Sequence, residues 1–441
     1  MMLRALGRRL LFALPAVLFS GAAVQGHAGE RNQTDANIKF FQAKINKDPD
    51  DFSNYERLGS AFLQKGRETG DLSYYELSEK ALSKAVELAP AQLNASPKMQ
   101  LAGVMFAEHR FQESLQMAQR ALTQQPEAIT GNATLGDAYL ESGDYDRAAE
   151  CYAKLVPPNG GETPGLDYLR ESRTGNLSFM RGDTAAAIEH MQAAITASAA
   201  AHMPKENQAW TYFTLGEFYL QSGQLESAWD AGEKSASMFP GYHRALALEA
   251  QVRAAQQRYP EAAALYKKAM AAVPLPIYAA ALGDVDTKLG RNDDAKKEFD
   301  LVETIANLSA LGKTVYNREL AMFYGDHNRS LPKALELVQK ELKVRKDVYT
   351  WDALAWTLYK NGKSKDAADA AERALALGTK DALLYFHAGM IYRANGNDAT
   401  GAKFLRESLS INPNFHVLYA DVARETLAQI ESHRNLAERV K

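Results

Sequence analysis

Apolar and small residues recur along the chain with the period of an α-helix. The clearest segment reads Asn132-Ala-Thr-Leu-Gly-Asp-Ala-Tyr139, continues as Ser142-Gly-Asp-Tyr145, and places Ala148 and Tyr152 in a second apolar series. Apolar positions three and four residues apart lie on one face of a helix, and a glycine between two such series marks a turn. This segment therefore predicts a helical hairpin. The alternation of apolar and polar residues that indicates a β-strand is not found anywhere in the sequence.

The same pattern recurs about ten times. Related segments begin at Tyr212 and Trp351, and the first predicted helix of each copy carries one small residue, at Gly59, Ala102, Gly136, Gly175, Gly216, Ala250, Gly283, Ala321, Ala355 and Gly389. All ten are Gly or Ala, although these two types fill only 102 of the 441 positions. Seven residues further on, a position not used in this alignment carries Gly66, Gly143, Gly182, Gly223, Gly290, Gly362 and Gly396, with Asn328 in the eighth copy. The chain is therefore predicted to be a repeat array.

Each repeated residue type has a physical reason. A small residue lets the two helices of a hairpin cross closely. The second helices also carry a small residue at the predicted crossing, at Ala148, Ala187, Ala228, Ala262, Ala295 and Ala367. Glycine in the turn can adopt the left-handed conformation that ends a helix. Proline cannot continue a helix, so the second helices are expected to end before Pro90, Pro126, Pro240, Pro274 and Pro413.

The pattern W/Y-x2-L-G/A-x2-Y, followed by a glycine turn, alanines and a closing proline, resembles the tetratricopeptide repeat. The spacings fit as well, since they run from 33 to 43 residues around the 34 residues of that family. The resemblance implies an all-α fold, a right-handed α-solenoid of about ten hairpins over residues 50–413. Residues 29–49 are a lead-in. Residues 414–441 are predicted to hold an amphipathic capping helix from Val417 to about Val440.

Departures from the 34-residue period are predicted to be loops. The turn of the first repeat is stretched between Arg67 and Ser73. Extra residues between repeats fall at 157–164, 198–205 and 305–313. Repeats two and eight are the weakest matches, since each lacks the turn glycine.

The first 28 residues have the layout of a secretory signal peptide. Arg4, Arg8 and Arg9 precede an apolar run from Leu10 to Val24, and cleavage is expected after Ala28. An uncleaved membrane anchor is the alternative, but fifteen apolar residues are fewer than the ~20 that span a bilayer. No cysteine suited to lipid attachment lies near the cleavage site. The expectation is a periplasmic or secreted protein that does not insert into the membrane after cleavage.

Charge and residue chemistry narrow the function further. Without residues 1–28 the chain has 48 basic and 54 acidic residues, which disfavours nucleic acid as a partner. The single cysteine, Cys151, excludes an internal disulfide and cysteine-based metal sites. No catalytic motif and no histidine pair at helical spacing is found, so we expect no enzyme activity, no metal and no cofactor.

The resemblance also implies a binding surface. Members of the family line a concave groove with first-helix positions 2, 5, 9, 12 and 13. In repeats five, nine and ten, the candidate contacts at these positions are Trp210, Phe213, Tyr349, Asp352, Trp356, Tyr359, Lys360, Phe386, Met390 and Arg393. An exposed row of aromatic residues and Met beside Arg is typical of a protein-binding hot spot. The alternative is that these aromatic residues pack against the next repeat or the C-terminal helix.

The sequence therefore predicts a non-enzymatic scaffold of the bacterial cell envelope that binds a peptide or partner subunit in its groove. A second hypothesis is an accessory subunit of an envelope enzyme, secretion or polysaccharide complex. Such a subunit would use its convex face or the long connections near Pro157 and Ile305. A third hypothesis, an enzyme with an unrecognised active site, has no motif in its favour.

Overall fold

The computed structural model of the protein describes residues 28–157, 160–161, 163–311 and 317–439. Every regular element in these residues is an α-helix. The helices are α1 (Ala28–Lys47), α2 (Phe52–Thr69), α3 (Ser73–Leu88), α4 (Ala95–Ala107), α5 (Phe111–Gln124), α6 (Gly131–Glu141), α7 (Tyr145–Ala153), α8 (Pro164–Met180), α9 (Thr184–Ala200), α10 (Lys205–Gln221), α11 (Leu225–Met238), α12 (His243–Ala255), α13 (Tyr259–Ala272), α14 (Pro276–Lys288), α15 (Asn292–Leu311), α16 (Asn317–Asp326), α17 (Leu331–Glu341), α18 (Val348–Lys360), α19 (Ser364–Ala374), α20 (Ala382–Ala394), α21 (Asp398–Ile411) and α22 (Tyr419–Arg439).

The helices from α2 to α21 form ten consecutive hairpins, which we number one to ten from α2–α3 to α20–α21. Each hairpin packs against the next, and α1 and α22 pack on the first and last hairpins. The predicted all-α solenoid is therefore confirmed. The capping helix begins at Tyr419, two residues later than the sequence indicated.

Small residues lie where the helices of a hairpin cross. A Cβ atom on Gly175 would lie 3.2 Å from the carbonyl oxygen of Ala187, and one on Gly389 would meet the Gly401 carbonyl at the same distance. The second-helix alanines that the sequence singled out are all buried. Larger side chains at these crossings would push the helices apart.

Nine of the ten predicted turn positions have positive φ. Besides six glycines and Asn328, they include His109 and Gln257, which hold the same conformation in hairpins two and six. The prediction for Gly66 is wrong. Gly66 lies inside α2, and the left-handed residue that ends this helix is Gly70, with φ 69°.

Two predicted loops are partly helical instead. Residues 198–200 extend α9, and the residues after Ile305 extend α15 to Leu311. Extra residues in a solenoid can lengthen a helix as readily as a loop, because only the spacing between crossings is set by packing. The helices that end before Pro90, Pro126, Pro240, Pro274 and Pro413 all stop two residues ahead of the proline.

The solenoid coils far enough for its second half to contact its first half. The Lys346 amide donates to the Glu141 carbonyl oxygen at 2.8 Å, and the Val348 amide donates to the Tyr145 hydroxyl at 3.0 Å. The turn of hairpin three therefore touches the connection between hairpins eight and nine. One superhelical turn takes five to six hairpins.

The same contact recurs along the coil. The Thr379 hydroxyl donates to the Met180 carbonyl oxygen, and Asn412 Nδ2 donates to the Leu220 carbonyl oxygen at 2.8 Å. We call this contact the seam. It joins the turns at residues 141–145, 180–182 and 220–223 to the connections at 345–348, 378–379 and 411–412. Because the seam closes one side of the superhelix, the inner face of the first helices is a confined surface.

The expected signal peptide, residues 1–28, lies outside the described residues except for Ala28. Among the helices that the structure describes, none has an apolar stretch long enough for a bilayer span.

Candidate functional site

The capping helix covers the concave face of hairpins nine and ten. Trp356 is 2% exposed and Phe386 is fully buried. The ring of Tyr419 stacks on Phe386 with 4.8 Å between centroids and meets the edge of Trp356 at 5.5 Å. The expectation of an exposed aromatic row is therefore wrong for Trp356 and Phe386, because α22 and the residues before it fill the groove at this end.

Asp352 is also buried. Its carboxylate lies 2.9 Å from His387 Nδ1, on the neighbouring first helix. This pairing satisfies a charge that would be costly to bury alone. Asp352 therefore holds hairpins nine and ten together and is not available on an open surface.

The other predicted residues of hairpins nine and ten are half-buried. Tyr359 stacks on Trp356, and Lys360 Nζ lies 5.1 Å from the Trp356 ring centroid. Met390 packs against the same aromatic cluster, and Arg393 donates to Gln429 Oε1 on α22 at 3.0 Å. These four side chains form the rim of the cluster that the capping helix covers.

The remaining predicted residues lie farther from the capping helix. Trp210 is half-buried, whereas Phe213 is only 7% exposed, so the expected exposure of Phe213 is also wrong. Both pack into the core between hairpins five and six. Tyr349 is half-buried on the first helix of hairpin nine. Burial raises its pKa well above the usual value, and the carboxylates of Asp381, Asp347 and Glu217 add to the rise.

Glu217 and Tyr349 belong to hairpins five and nine, yet the Glu217 carboxylate contributes to the rise in the pKa of Tyr349.

Most charges on this inner surface are paired. The Arg173 guanidinium binds Asp137, with 2.9 Å between Nη2 and Oδ2, and Arg318 lies 2.9 Å from Asp347. Partly buried arginine–carboxylate pairs of this kind fix the geometry of the wall. They leave little charge for a partner to recognise.

Arg244 differs from these arginines. Within the described part of the chain, no carboxylate lies within 4.0 Å of its guanidinium, whose central carbon is 5.7 Å from the Phe213 ring centroid. The side chain is exposed. Because Arg244 stands at groove position 2 of repeat six, six residues before Ala250, we infer that it faces the inner surface of the superhelix.

Glu217 lies on the adjacent first helix. Burial raises its pKa to about 7, and Arg244 opposes the rise only in part. At neutral pH this carboxyl is only partly ionised. The region around Arg244 thus combines an unpaired cation, an aromatic ring and a carboxyl group that can gain or lose a proton.

Arg244 was not among the predicted contacts, because those contacts came from repeats five, nine and ten only. The same positions in repeats three, six, seven and eight mark Asp137, Glu141, Arg244, Asp284, Lys288, Arg318 and Asp326. Charge at these positions was therefore a signal in the sequence. His, Cys, Asp and Glu side chains in the described ranges form no group of three that could hold a metal ion.

Comparison with known proteins identifies the repeat. Family models of the tetratricopeptide repeat match residues 105–169 and 353–414. No curated protein matches the sequence.

Solved structures similar to this chain include three with low sequence identity. The APC/C hetero-tetramer Cut9–Hcn1 is 14% identical over 91% of this chain and 94% of that chain, with a TM-score of 0.34. Yeast Tom70 is 15% identical over 92% and 93%, with a TM-score of 0.38. A tetratricopeptide repeat protein from Parabacteroides merdae is 16% identical over 60% and 100%, with a TM-score of 0.33.

Proposed function

The chain is a tetratricopeptide-repeat protein, and on that premise we propose that it is a non-enzymatic scaffold of the bacterial cell envelope. Its partner, a peptide or a protein subunit, binds the concave face of hairpins five to eight. The observation that carries this proposal is Arg244, an inward-facing cation with no ion pair among the described residues. Arginine beside an aromatic ring is a frequent contact in protein interfaces.

This location differs from the surface that the sequence predicted. Trp356 and Phe386 are covered by α22, whereas Arg244 is exposed. Partner binding by Tyr359, Lys360, Met390 and Arg393 stays a prediction for the rim of the covered cluster.

Affinity capture from native cells, followed by cross-linking mass spectrometry, tests the concave face. An Arg244→Gln variant should lose most of the partner that the wild-type chain recovers. Arg120→Gln is the matched control, because Arg120 is exposed on α5, the outer helix of hairpin two. Equal recovery by both variants would remove Arg244 from the binding surface.

One observation favours the second candidate function, an accessory subunit that binds through its long connections. Val156 and Leu308 are 45% and 63% exposed, and they lie beside the two connections that the sequence marked. A partner that covers either side chain would remove exposed apolar surface from water. A Val156→Ser/Leu308→Ser double variant that loses the partner while Arg244→Gln retains it would establish this candidate instead.

The envelope location is supported by residues 1–28 alone. If the leader is removed as expected, N-terminal sequencing of the protein from a periplasmic extract should begin at Gly29. Recovery of full-length chain in the membrane fraction would contradict this part of the proposal.

A further inference from the structure

The seam is chemically unlike the contacts inside the repeats. Hairpins are held by buried alanines and aromatic rings, whereas the seam consists largely of single hydrogen bonds to backbone atoms. Regions with few buried apolar contacts open at lower free energy than cores do. The seam is therefore the layer most easily parted without unfolding a hairpin.

Glycines in the first half of the chain make the close approach at the seam possible. A Cβ atom on Gly143 would lie 2.7 Å from the Lys346 carbonyl oxygen, and one on Gly182 would clash with the Gly378 carbonyl. Gly290 and Gly362 occupy the same turn position in hairpins seven and nine, and an added Cβ there would have no neighbour within 4 Å. All four glycines have the left-handed backbone conformation, but only Gly143 and Gly182 lie at the seam.

A charged cluster surrounds the first seam contact. Arg345 Nε lies 2.7 Å from Glu141 Oε2, and the Arg345 guanidinium stacks over Phe111 at 4.6 Å. Glu341, at 3.7 Å from Arg345, and Asp347 also face this cluster. Burial raises the pKa of Glu141 to about 7. A pair of this kind has a large desolvation penalty, which limits how strongly it holds the seam closed.

The closed seam also restricts access to Arg244. With the two superhelical turns in contact, a partner cannot reach the inner face through the seam itself. Opening the seam would expose the same face from the side.

We propose that the seam is a clasp, which parts in solution while the ten hairpins stay folded. The open clasp would let a partner approach the concave face from the side, and this role rests on the proposed function. The opening itself requires no partner and is measured without one.

Hydrogen exchange of the full chain, followed by mass spectrometry, tests the clasp. The amides of Lys346 and Val348 have no hydrogen-bond partner in their own hairpins, so their protection reports the seam alone. We expect both to be protected, yet to exchange at least tenfold faster than amides in the middle of α6 and α18. Exchange only together with these helices would overturn the proposal, as would exchange at the rate of an unstructured peptide.

A tyrosine pair gives the matched variants. Tyr145→Phe removes the hydroxyl that accepts from the Val348 amide, and we expect exchange at Lys346 and Val348 to rise about fivefold, the effect of one ordinary hydrogen bond. Tyr392→Phe removes a hydroxyl of hairpin ten that donates to Glu372 of hairpin nine, away from the seam, and should leave both amides unchanged. Equal effects of the two variants would overturn the proposal.

A glycine pair gives a second readout by small-angle scattering. Gly143→Ala should increase the radius of gyration while the helical circular dichroism signal is retained. Gly290→Ala introduces the same backbone strain without a seam neighbour and should leave the radius unchanged. If Gly143→Ala leaves a folded chain with the wild-type radius and exchange rates, the clasp proposal is wrong, whatever is found for Arg244.

Discussion

The Tyr419 hydroxyl donates a hydrogen bond to the Asp326 carboxylate, with 2.8 Å between Tyr419 Oη and Asp326 Oδ1. Trp356 Nε1 donates to the same oxygen at 2.8 Å. One carboxylate thus joins the capping helix to hairpins eight and nine. Burial raises the pKa of Asp326, and these two hydrogen bonds oppose the rise. The capping helix is therefore anchored inside the groove by specific polar contacts.

Replacement of the buried indole should destabilise the protein. We expect Trp356→Ala to lower the free energy of unfolding by about 3–5 kcal/mol, because it leaves a cavity beneath Tyr419 and removes a donor from Asp326. Urea unfolding followed by circular dichroism measures the change. Arg393→Ala is the control, since it removes one exposed hydrogen bond and should cost less than about 1 kcal/mol. A Trp356→Ala variant as stable as wild type would contradict the buried position of the ring.

Two histidines, the buried His243 and the half-buried His416, should make the stability of the protein depend on pH. Burial lowers the pKa of His243 to about 3 and of His416 to about 3, so both are neutral in the folded chain at pH 7. His416 Nδ1 accepts from the Leu418 amide at 3.2 Å, an acceptor that protonation at that atom removes. An unfolded histidine has a pKa near 6.5, so the stability each residue contributes is present above pH 6.5 and is lost as the pH falls toward 3.

The loss amounts to as much as about 1.4 kcal/mol per pH unit for each histidine. We therefore expect His243→Asn/His416→Asn to have a shallower decline in unfolding free energy between pH 6.5 and pH 4.5 than wild type. Urea unfolding at several pH values gives the slopes. Parallel slopes for the two proteins would show that these histidines do not titrate differently in the folded and unfolded chain.

Glu217 should have the opposite pH dependence. Its folded pKa of about 7 lies above the unfolded value of 4.5. The contribution of Glu217 to the free energy of unfolding is therefore fully present below pH 4.5 and is lost as the pH rises through 7. Glu217→Gln should therefore stabilise the protein at pH 8, by about 1–2 kcal/mol after allowance for its partial exposure. At pH 4.5 we expect the two proteins to be equally stable. Destabilisation at pH 8 would indicate that Arg244 is a true ion-pair partner of Glu217.

The repeat itself was predictable because each position is set by a local requirement. Gly175 had to be small for Ala187 to cross it, and the helix ending before Pro413 had to stop there. Such constraints act within one hairpin or between neighbours, and they leave a pattern in the sequence. The same reasoning places His109 and Gln257 at the turn position, although neither is a glycine.

The seam and the covered groove were not predictable in this way. Contact between Tyr145 and Val348 depends on the small rotation between successive hairpins, summed over five to six of them. The burial of Trp356 depends on where the capping helix lies after that summation. An aromatic residue at a groove position has the same sequence signature whether a partner or the chain's own helix covers it. Arg244 could have been predicted from the sequence, because its groove position and its charge can both be read there.

The turn position offers a last prediction that separates backbone strain from packing. Gln257 is exposed with φ 60°, a conformation that disfavours any residue with a Cβ atom, whereas Gly290 holds φ 71° with no neighbour near an added Cβ. Gln257→Gly should raise the free energy of unfolding by about 1 kcal/mol, and Gly290→Ala should lower it by a similar amount. Urea unfolding of the two variants and of wild type measures both changes. Gln257 is exposed and borders a small cavity beside His416 and Val417, and an added Cβ at Gly290 has no neighbour within 4 Å. Opposite signs of similar size would therefore identify the left-handed turn as the main cause, and changes of the same sign would refute it.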